Sequence, residues 1–170
     1  LPNEACGNLA EAERLGLEGR PDAVLTMPGA WEWSDMRRPD GTVLEARSPA
    51  LAGEIEGRLV ELIGAAHDVG ARTVVAEWSC PGDEAADVRG DADYIAWING
   101  VLADAVAEGR RAHGADVALL APTDAVCIDA DPLGEPTPAK AEATGDEVHV
   151  NDEAGGRWIW DTWLGPGLGG

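Results

Sequence analysis

The chain has 170 residues, about the size of one domain and long enough to bury a hydrophobic core. Its 32 acidic and 12 basic residues give a net charge of −20, spread over both halves of the sequence. A surface this acidic is repelled by phosphate backbones, so we expect no nucleic-acid partner. No run of about 18 apolar residues is present, so no segment of this sequence is predicted to span a membrane.

The first part of the chain predicts a helix, a strand and a long loop. Residues 1–20 have the Ala, Leu and Glu pattern of a helix. Residues 23–27 form an apolar run between Pro21 and Pro28, which is typical of a buried strand. Residues 29–48 are rich in Gly, Pro, Trp and charge, and predict a loop of a length that is usually functional.

A long amphipathic helix and a second strand follow. Ser48 and Pro49 predict the N-cap and first position of this helix, and Gly70 predicts its end. Between them, apolar residues recur every three or four positions and form one stripe along the helix. Residues 73–78 predict the strand, which ends before Pro81.

The same alternation continues to the end of the chain. A second amphipathic helix is predicted from near Ile95 to Gly109 or Gly114, followed by a third strand over residues 117–120. A last helix begins at about Asp152 and ends near Leu164, and residues 165–170 are predicted to fray.

Alternating strands and helices predict an α/β domain with a parallel sheet and helices on both faces. In such sheets, ligands bind beyond the carboxyl ends of the strands. The loops predicted at those ends are residues 28–48, 79–92 and 121–151. We therefore expect the functional residues there.

A candidate acid–base pair precedes the last helix. Asp146 and His149 are three residues apart, so the carboxylate can fix one ring nitrogen while the other acts as a general base. The alternative is a surface histidine in an acidic loop.

A second candidate segment, Pro28-Gly29-Ala30-Trp31-Glu32-Trp33, follows the first strand. Glycine lets a ligand approach the backbone, and a backbone N–H there could stabilise an oxyanion. An ordinary turn with two tryptophans over the sheet edge is the alternative.

These segments, in this order, resemble the SGNH (GDSL-like) hydrolase superfamily. The closest similarity is to the SGNH domains fused to acyltransferase family 3 membrane proteins. It extends from about Pro21 to Leu164 as a single domain. It is carried by "Arg20-Pro21-Asp22-Ala23-Val24-Leu25" with "Gly29-Ala30-Trp31-Glu32", by "Thr73-Val74-Val75" with Cys80, and by "Asp146-Glu147-Val148-His149" with "Gly155-Gly156-Arg157-Trp158".

The resemblance implies a three-layer α/β/α, flavodoxin-like fold and a serine esterase or O-acyltransferase. Its substrates would be acyl, most often acetyl, esters of cell-envelope glycans outside the cytoplasm, and it would need no cofactor. His149 would be the general base and Asp146 its orienting carboxylate. Gly29, Trp31 and Glu32 would lie on the segment that helps to form the oxyanion hole. Trp31 stands where the superfamily usually has Asn, and Glu32 where it usually has Asp.

The nucleophile of the resembled family is missing from this sequence. No serine follows Gly-Asp, since the serines are Ser34, Ser48 and Ser79. One interpretation is the later part of an SGNH domain, with its first strands and its serine upstream of Leu1 and a membrane acyltransferase domain before it. The other is a pseudoenzyme that binds carbohydrate without catalysis. Ser34 and Ser79 are weaker candidates for a substitute nucleophile.

Three further groups of residues stand out in the sequence. Cys80 and Cys127 follow neighbouring predicted strands, so a disulfide between them is geometrically reasonable, with two buried thiols as the alternative. His67 and His113 lie at predicted helix C-termini, where a structural role is favoured. Five tryptophans are candidates for a sugar-stacking face or for the core, namely Trp31, Trp33, Trp158, Trp160 and Trp163.

A metal site made of Asp146, His149 and nearby acids such as Asp129 and Asp131 is a third hypothesis. With one histidine at that edge, a transition metal is disfavoured, and we expect no metal.

Overall fold

The computed structural model describes residues 9–28, 34–78, 92–122 and 153–169. In chain order, the elements are α1 (Leu9–Glu18), β1 (Ala23–Thr26), β2 (Met36–Arg37), β3 (Val43–Leu44), α2 (Pro49–Asp68), β4 (Arg72–Ala76), α3 (Ala92–His113), β5 (Val117–Leu120), α4 (Glu153–Ile159), a π-helical turn (Trp160–Leu164) and α5 (Gly165–Leu168). The last three elements follow one another directly, and together they are called the C-terminal helix.

Three strands form a parallel sheet in the order β1-β4-β5. Ala23 pairs with Arg72 at the start of the sheet, and Thr73 pairs with Val117. Each pair of neighbouring strands is joined by a crossover that contains a long helix, α2 in the first and α3 in the second. The mixed content and the parallel sheet agree with the predicted α/β class.

The larger part of the core lies between the sheet and the pair α2–α3. The apolar stripe predicted for α2 is buried there, and it packs against the buried stripe of α3 and against Val75 and Val117 of the sheet. Burial of a full aliphatic side chain contributes roughly 1.5–3 kcal/mol, so these stripes hold the crossover helices in place. The most deeply buried members, all at 0% exposure, are Leu51, Ile63, Val75, Tyr94, Ile98, Leu102 and Ala105.

A second cluster forms where the C-terminal helix packs on the sheet. Ala76 and Trp163 are its buried members, and Leu25 and Leu120 pack against them. Ala76 and Val75 are consecutive on β4, and successive side chains of a strand point to opposite faces. The C-terminal helix therefore packs on the face opposite to α2 and α3.

The predicted fraying of residues 165–170 differs from the structure, which continues the helix through Leu168. Two contacts with the sheet explain why this segment is held in a helix. Gly167 passes so close to β5 that a Cβ atom there would lie 2.5 Å from Leu120 Cδ2. The Leu168 carbonyl accepts a hydrogen bond of 3.3 Å from Arg72 Nη1.

The predicted start and end of α2, and the predicted end of α3 near Gly114, are confirmed. The Ser48 hydroxyl accepts a hydrogen bond from Leu51 N at 3.2 Å, as expected for an N-cap. Gly70 and Gly114, after α2 and α3, have φ angles of 86° and 63°. Glycine adopts this left-handed conformation without the steric cost of a Cβ atom, which is why both helices end where they do.

The long loop predicted over residues 29–48 contains a small hairpin. β2 and β3 pair in antiparallel fashion, and the turn between them closes with a 2.9 Å bond from Gly41 N to the Arg38 carbonyl. Asp40 Oδ1 accepts a 2.8 Å hydrogen bond from Thr42 N, which lowers the pKa of that carboxyl below its usual value. Each strand has only two residues, too few to show an alternating pattern in the sequence.

Across the described ranges, no helix combines the length and the apolar character that a bilayer span requires.

Candidate functional site

The three parallel strands end side by side. Thr26 is in register with Val75, and Ala76 with Leu120, so β1, β4 and β5 finish at one edge of the sheet. We call it the carboxyl edge. Segments 29–33, 79–91 and 123–152 all begin from it, just after the described residues Pro28, Trp78 and Pro122. This is the place where parallel α/β sheets bind their ligands.

The residues that the sequence singles out belong to those three segments. Gly29, Trp31 and Glu32 fall in the first, Cys80 in the second, and Cys127, Asp146 and His149 in the third; all seven lie outside the described residues. The Asp146–His149 pair and the Cys80–Cys127 disulfide therefore stay predictions. The described residues do place β4 and β5 next to each other, as the disulfide requires.

Asn99 fixes the backbone just beyond β4. Its side-chain oxygen accepts a 2.8 Å hydrogen bond from Trp78 N, and its Nδ2 donates to Trp78 O at 3.2 Å. Trp78 lies past the end of the strand, so its N–H and C=O are not part of the ladder. A side-chain amide, with one acceptor and one donor, replaces the missing strand partner.

Two indoles hold the ends of the neighbouring strands. Trp78 Nε1 donates to the Pro28 carbonyl at 2.9 Å, just after β1. Trp163 Nε1, from the C-terminal helix, donates to the Ala121 carbonyl at 3.0 Å, just after β5. Each buried or partly buried indole thus satisfies its N–H on a carbonyl where a strand ends. The start of each segment at the carboxyl edge is therefore held by a side chain.

Arg47 adds a strained position near this edge. It precedes α2, whose N-terminus lies at the carboxyl edge because a crossover helix runs antiparallel to its strands. Its φ angle is 58°, a left-handed conformation that costs a non-glycine residue about 1–2 kcal/mol. Its guanidinium carbon lies 5.7 Å from the centre of the buried Tyr94 ring, within cation–π range.

The remaining histidine and serine candidates lie in different parts of the molecule. His67 lies in the last turn of α2 and His113 is the last residue of α3. Both are shortly before β4 and β5 begin, so they lie at the opposite edge of the sheet. The structural role expected for them agrees with this placement. Ser34 precedes β2, and Ser79 is outside the described ranges.

The described tryptophans divide between core and surface. Trp163 is 4% exposed and belongs to the core, whereas Trp160 is 50% exposed. Trp158 packs against the Trp163 cluster. Trp158 and Trp160 are two residues apart, so they point to different sides of the helix, one toward the core and one toward the surface.

Metal ligands do not converge in the described ranges, which contain no group of three or more His, Cys, Asp or Glu side chains able to hold an ion. A surface groove of about 410 Å³ lies between α1 and α2. Its two arginines already face carboxylates, Arg14 those of Glu11 and Glu18, and Arg58 that of Glu13 at 3.6 Å. Neither arginine of the groove is therefore an unmatched positive charge that could attract a ligand.

Sequence reasoning missed the roles of Asn99 and Trp78. One available signal was a lone amide in the middle of α3, beside the apolar positions Ile98, Val101 and Leu102. Asparagine is a poor helix former, so its presence in a helix interior indicates a side-chain partner.

The described residues form an α/β structure whose three parallel strands end at one edge, the edge at which sheets of this kind commonly bind ligands. Comparison of the chain with models of protein families, with curated proteins and with solved structures gives no match.

Proposed function

We propose that the chain is an SGNH-type serine esterase or O-acyltransferase domain with a three-layer, flavodoxin-like fold. The strand order β1-β4-β5, with α2 and α3 on one face and the C-terminal helix on the other, is the observation that supports this best. Such an arrangement matches the later half of a flavodoxin-like sheet. The segments that contain Gly29 and His149 both start from the carboxyl edge, just after Pro28 and Pro122.

In this proposal, His149 is the general base and Asp146 orients it. A serine hydroxyl attacks the acyl carbonyl while His149 removes its proton, and the tetrahedral oxyanion is stabilised by the backbone N–H of Gly29. Trp31 and Glu32 complete that side of the site. The sugar oxygen then leaves with the proton from His149, and the acyl group remains on the serine. Water or another sugar hydroxyl takes the acyl group in the second step.

The nucleophilic serine is proposed to come from a strand outside these 170 residues. Within the described part of the chain, β1 pairs on one side only, with β4. Met27, directly after β1, is 50% exposed, and Leu25 is only partly buried. A further strand along β1 would cover these side chains and would end at the same carboxyl edge. The serine would then face His149 across that edge.

The substrate proposed is an acylated, most often acetylated, glycan of the cell envelope. The domain would act outside the cytoplasm, tethered through a membrane acyltransferase domain, and a Cys80–Cys127 disulfide would suit that compartment. The charge of −20 is compatible with a neutral sugar ester and disfavours polyanionic partners.

Substitution of the proposed base tests the reaction. In the complete gene product, His149→Ala should lower turnover of p-nitrophenyl acetate by about a thousandfold or more, as loss of a triad member does. His67→Ala is the matched control, because His67 is exposed and lies at the opposite edge of the sheet. Retained turnover in His149→Ala would show that the base is assigned wrongly.

A non-catalytic carbohydrate-binding domain is the second candidate. It is favoured by Trp160, a half-exposed indole on the C-terminal helix that offers a flat face to a sugar ring. A wild-type gene product that binds an acetylated polysaccharide in calorimetry, and turns over no acyl ester, would favour this candidate over the enzyme.

A further inference from the structure

Asn99 is followed directly by Gly100, and this is the one Asn-Gly pair in the 170 residues of the sequence. The Cγ atom of an asparagine can be attacked by the main-chain nitrogen of the next residue, and glycine has no Cβ atom to obstruct this ring closure. The new C–N bond replaces the bond from Cγ to Nδ2, and ammonia leaves with the proton of the Gly100 N–H. Water then opens the cyclic imide to aspartate or isoaspartate. The pair therefore has the groups that a spontaneous deamidation needs.

The folded structure holds back both reacting groups. Gly100 lies inside α3, where a main-chain N–H is directed along the helix toward the carbonyl four residues earlier. The Asn99 side chain is held at both of its polar atoms by the backbone of Trp78, accepting at 2.8 Å and donating at 3.2 Å in partly buried hydrogen bonds. The side chain therefore reaches the Gly100 nitrogen only after both bonds break and the helix opens at this point.

The products of the reaction cannot restore the contact with Trp78. The Asn99 amide donates to the Trp78 carbonyl, whereas an ionised carboxylate has acceptors only. Its negative charge would face the carbonyl oxygen in a partly buried place, where an unmatched charge is costly. An isoaspartate also lengthens the main chain by one carbon atom, which interrupts the hydrogen bonds of α3. Either product therefore weakens the attachment of α3 to the chain just beyond β4.

We propose that Asn99 is a site of spontaneous deamidation that the folded protein protects through α3 and the contact with Trp78. Each transient opening of this contact exposes the Asn99 side chain to the Gly100 nitrogen. A reversible opening is thereby converted into a permanent change, so the modification records how often α3 and the end of β4 separate. The inference is independent of the proposed function, because it depends on these three residues alone.

The test is peptide mapping by mass spectrometry of the complete gene product, incubated at mildly alkaline pH in buffer and in urea that unfolds it. The Asn99 amide should be lost at least about tenfold more slowly in the folded protein, because both hydrogen bonds must break first. Equal rates in the two conditions would overturn the protection. An amide that is retained in urea would overturn the site itself.

Gly100→Ala is the matched control for the chemistry. Position 100 is exposed, and a Cβ atom there would meet nothing within 4 Å, so the variant keeps the fold and the Asn99 contact. In urea, where both chains are unfolded, the added methyl group obstructs ring closure. Asn99 should then lose its amide severalfold more slowly than in the wild type, and an equal rate would contradict attack by the nitrogen of residue 100.

Asn99→Asp tests the consequence of the modification, because it introduces the carboxylate directly. The melting temperature should fall by about 3 °C or more, since an acceptor replaces the donor to the Trp78 carbonyl. An unchanged melting temperature would overturn the claim that the contact is lost. If the variant does not fold, the deamidated fraction of aged wild type is separated by anion exchange and melted beside the unmodified fraction. The same fall is expected there, and equal melting temperatures would overturn the claim.

Discussion

Thr73 places a hydroxyl in the core of the sheet. The residue is 1% exposed, and its Oγ1 has no hydrogen-bond partner within the described part of the chain. A buried hydroxyl without a partner costs roughly 1–3 kcal/mol in proteins. The Thr73 hydroxyl therefore lowers the stability of the fold, and a valine, which is nearly the same size, would fit in its place.

We expect Thr73→Val to leave the free energy of unfolding unchanged or to raise it by up to about 1 kcal/mol. Val75, two residues along β4 on the same face and 0% exposed, provides the reciprocal control. Val75→Thr should lower the free energy by about 1–3 kcal/mol. Urea unfolding followed by circular dichroism measures both, and a destabilised Thr73→Val would mean that the hydroxyl has a partner after all.

At the residue scale, the contact between Asn99 and Trp78 is an example of what could not be predicted from the sequence. The sequence predicted the helix that contains Asn99 and the strand that ends two residues before Trp78, because periodicity and glycine positions carry that information. It did not predict that the amide of Asn99 closes on the backbone of Trp78, since the two residues meet only after β4 and α3 have packed. Contacts between elements of this kind depend on tertiary geometry, which a propensity does not encode.

Helices α2 and α3 approach closely at Gly109. A Cβ atom there would lie 2.9 Å from both Cδ1 and Cγ2 of Ile63, which is 0% exposed. Isoleucine is branched at Cβ and has few alternative rotamers, so the Ile63 side chain cannot easily move away from an added Cβ atom. The glycine therefore sets the distance between the two helices.

Alanine at two positions of α3 separates packing from helix propensity. Gly109→Ala should lower the free energy of unfolding by about 1–2 kcal/mol, because overpacking exceeds the propensity gain of about 1 kcal/mol. Gly100 is exposed, and a Cβ atom there would meet nothing within 4 Å. Gly100→Ala should therefore raise the melting temperature while Gly109→Ala lowers it. Equal shifts of the same sign in a thermal melt would contradict this account of the interface.

The elements were predictable to the extent that local chemistry specifies them. Ser48 and Pro49, and the glycines after α2 and α3, fixed the helix boundaries in the sequence and in the structure. The hairpin was missed although Pro39-Asp40-Gly41 is a recognised turn signal. No residue pattern in the sequence signalled the π-helical turn. That turn contains Trp163, whose indole N–H donates to the Ala121 carbonyl, and a contact between such distant residues is not visible in a local pattern.

At the scale of the whole molecule, charge opposes folding. Surface pairs such as Arg38–Glu54 and Arg111–Glu108 match some of the basic groups. Thirty-two acidic residues against twelve basic ones still leave an excess of 20 negative charges, which repel one another more strongly in the compact state.

Added salt should therefore stabilise the protein. The Debye length falls from about 30 Å at 0.01 M to about 10 Å at 0.1 M, so screening removes long-range repulsion before it weakens close ion pairs. We expect the melting temperature to rise by several degrees over that range of sodium chloride. Potassium chloride at equal ionic strength should give the same rise. A fall with added salt would show that attractive pairs dominate.

For the candidate site, the sequence predicts the edge of the sheet at which it should lie but not the arrangement of its side chains. Alternation of strands and helices indicates which ends of the strands meet, and the structure confirms that β1, β4 and β5 end together. The positions of Asp146, His149 and Gly29 relative to one another depend on the paths of the segments that follow the strand ends. No local sequence rule specifies those paths.

The register of the sheet also constrains the order of folding. Ala23 pairs with Arg72, and Thr73 with Val117, so each pairing joins residues more than 40 positions apart. Forming such a pair requires closure of a long loop, and the entropy of closure is lost before the contacts are gained. Helices form within about a microsecond, whereas these pairings come later. We therefore expect α2 and α3 to be present in the chain before the sheet that they cover, and the carboxyl edge to be completed last.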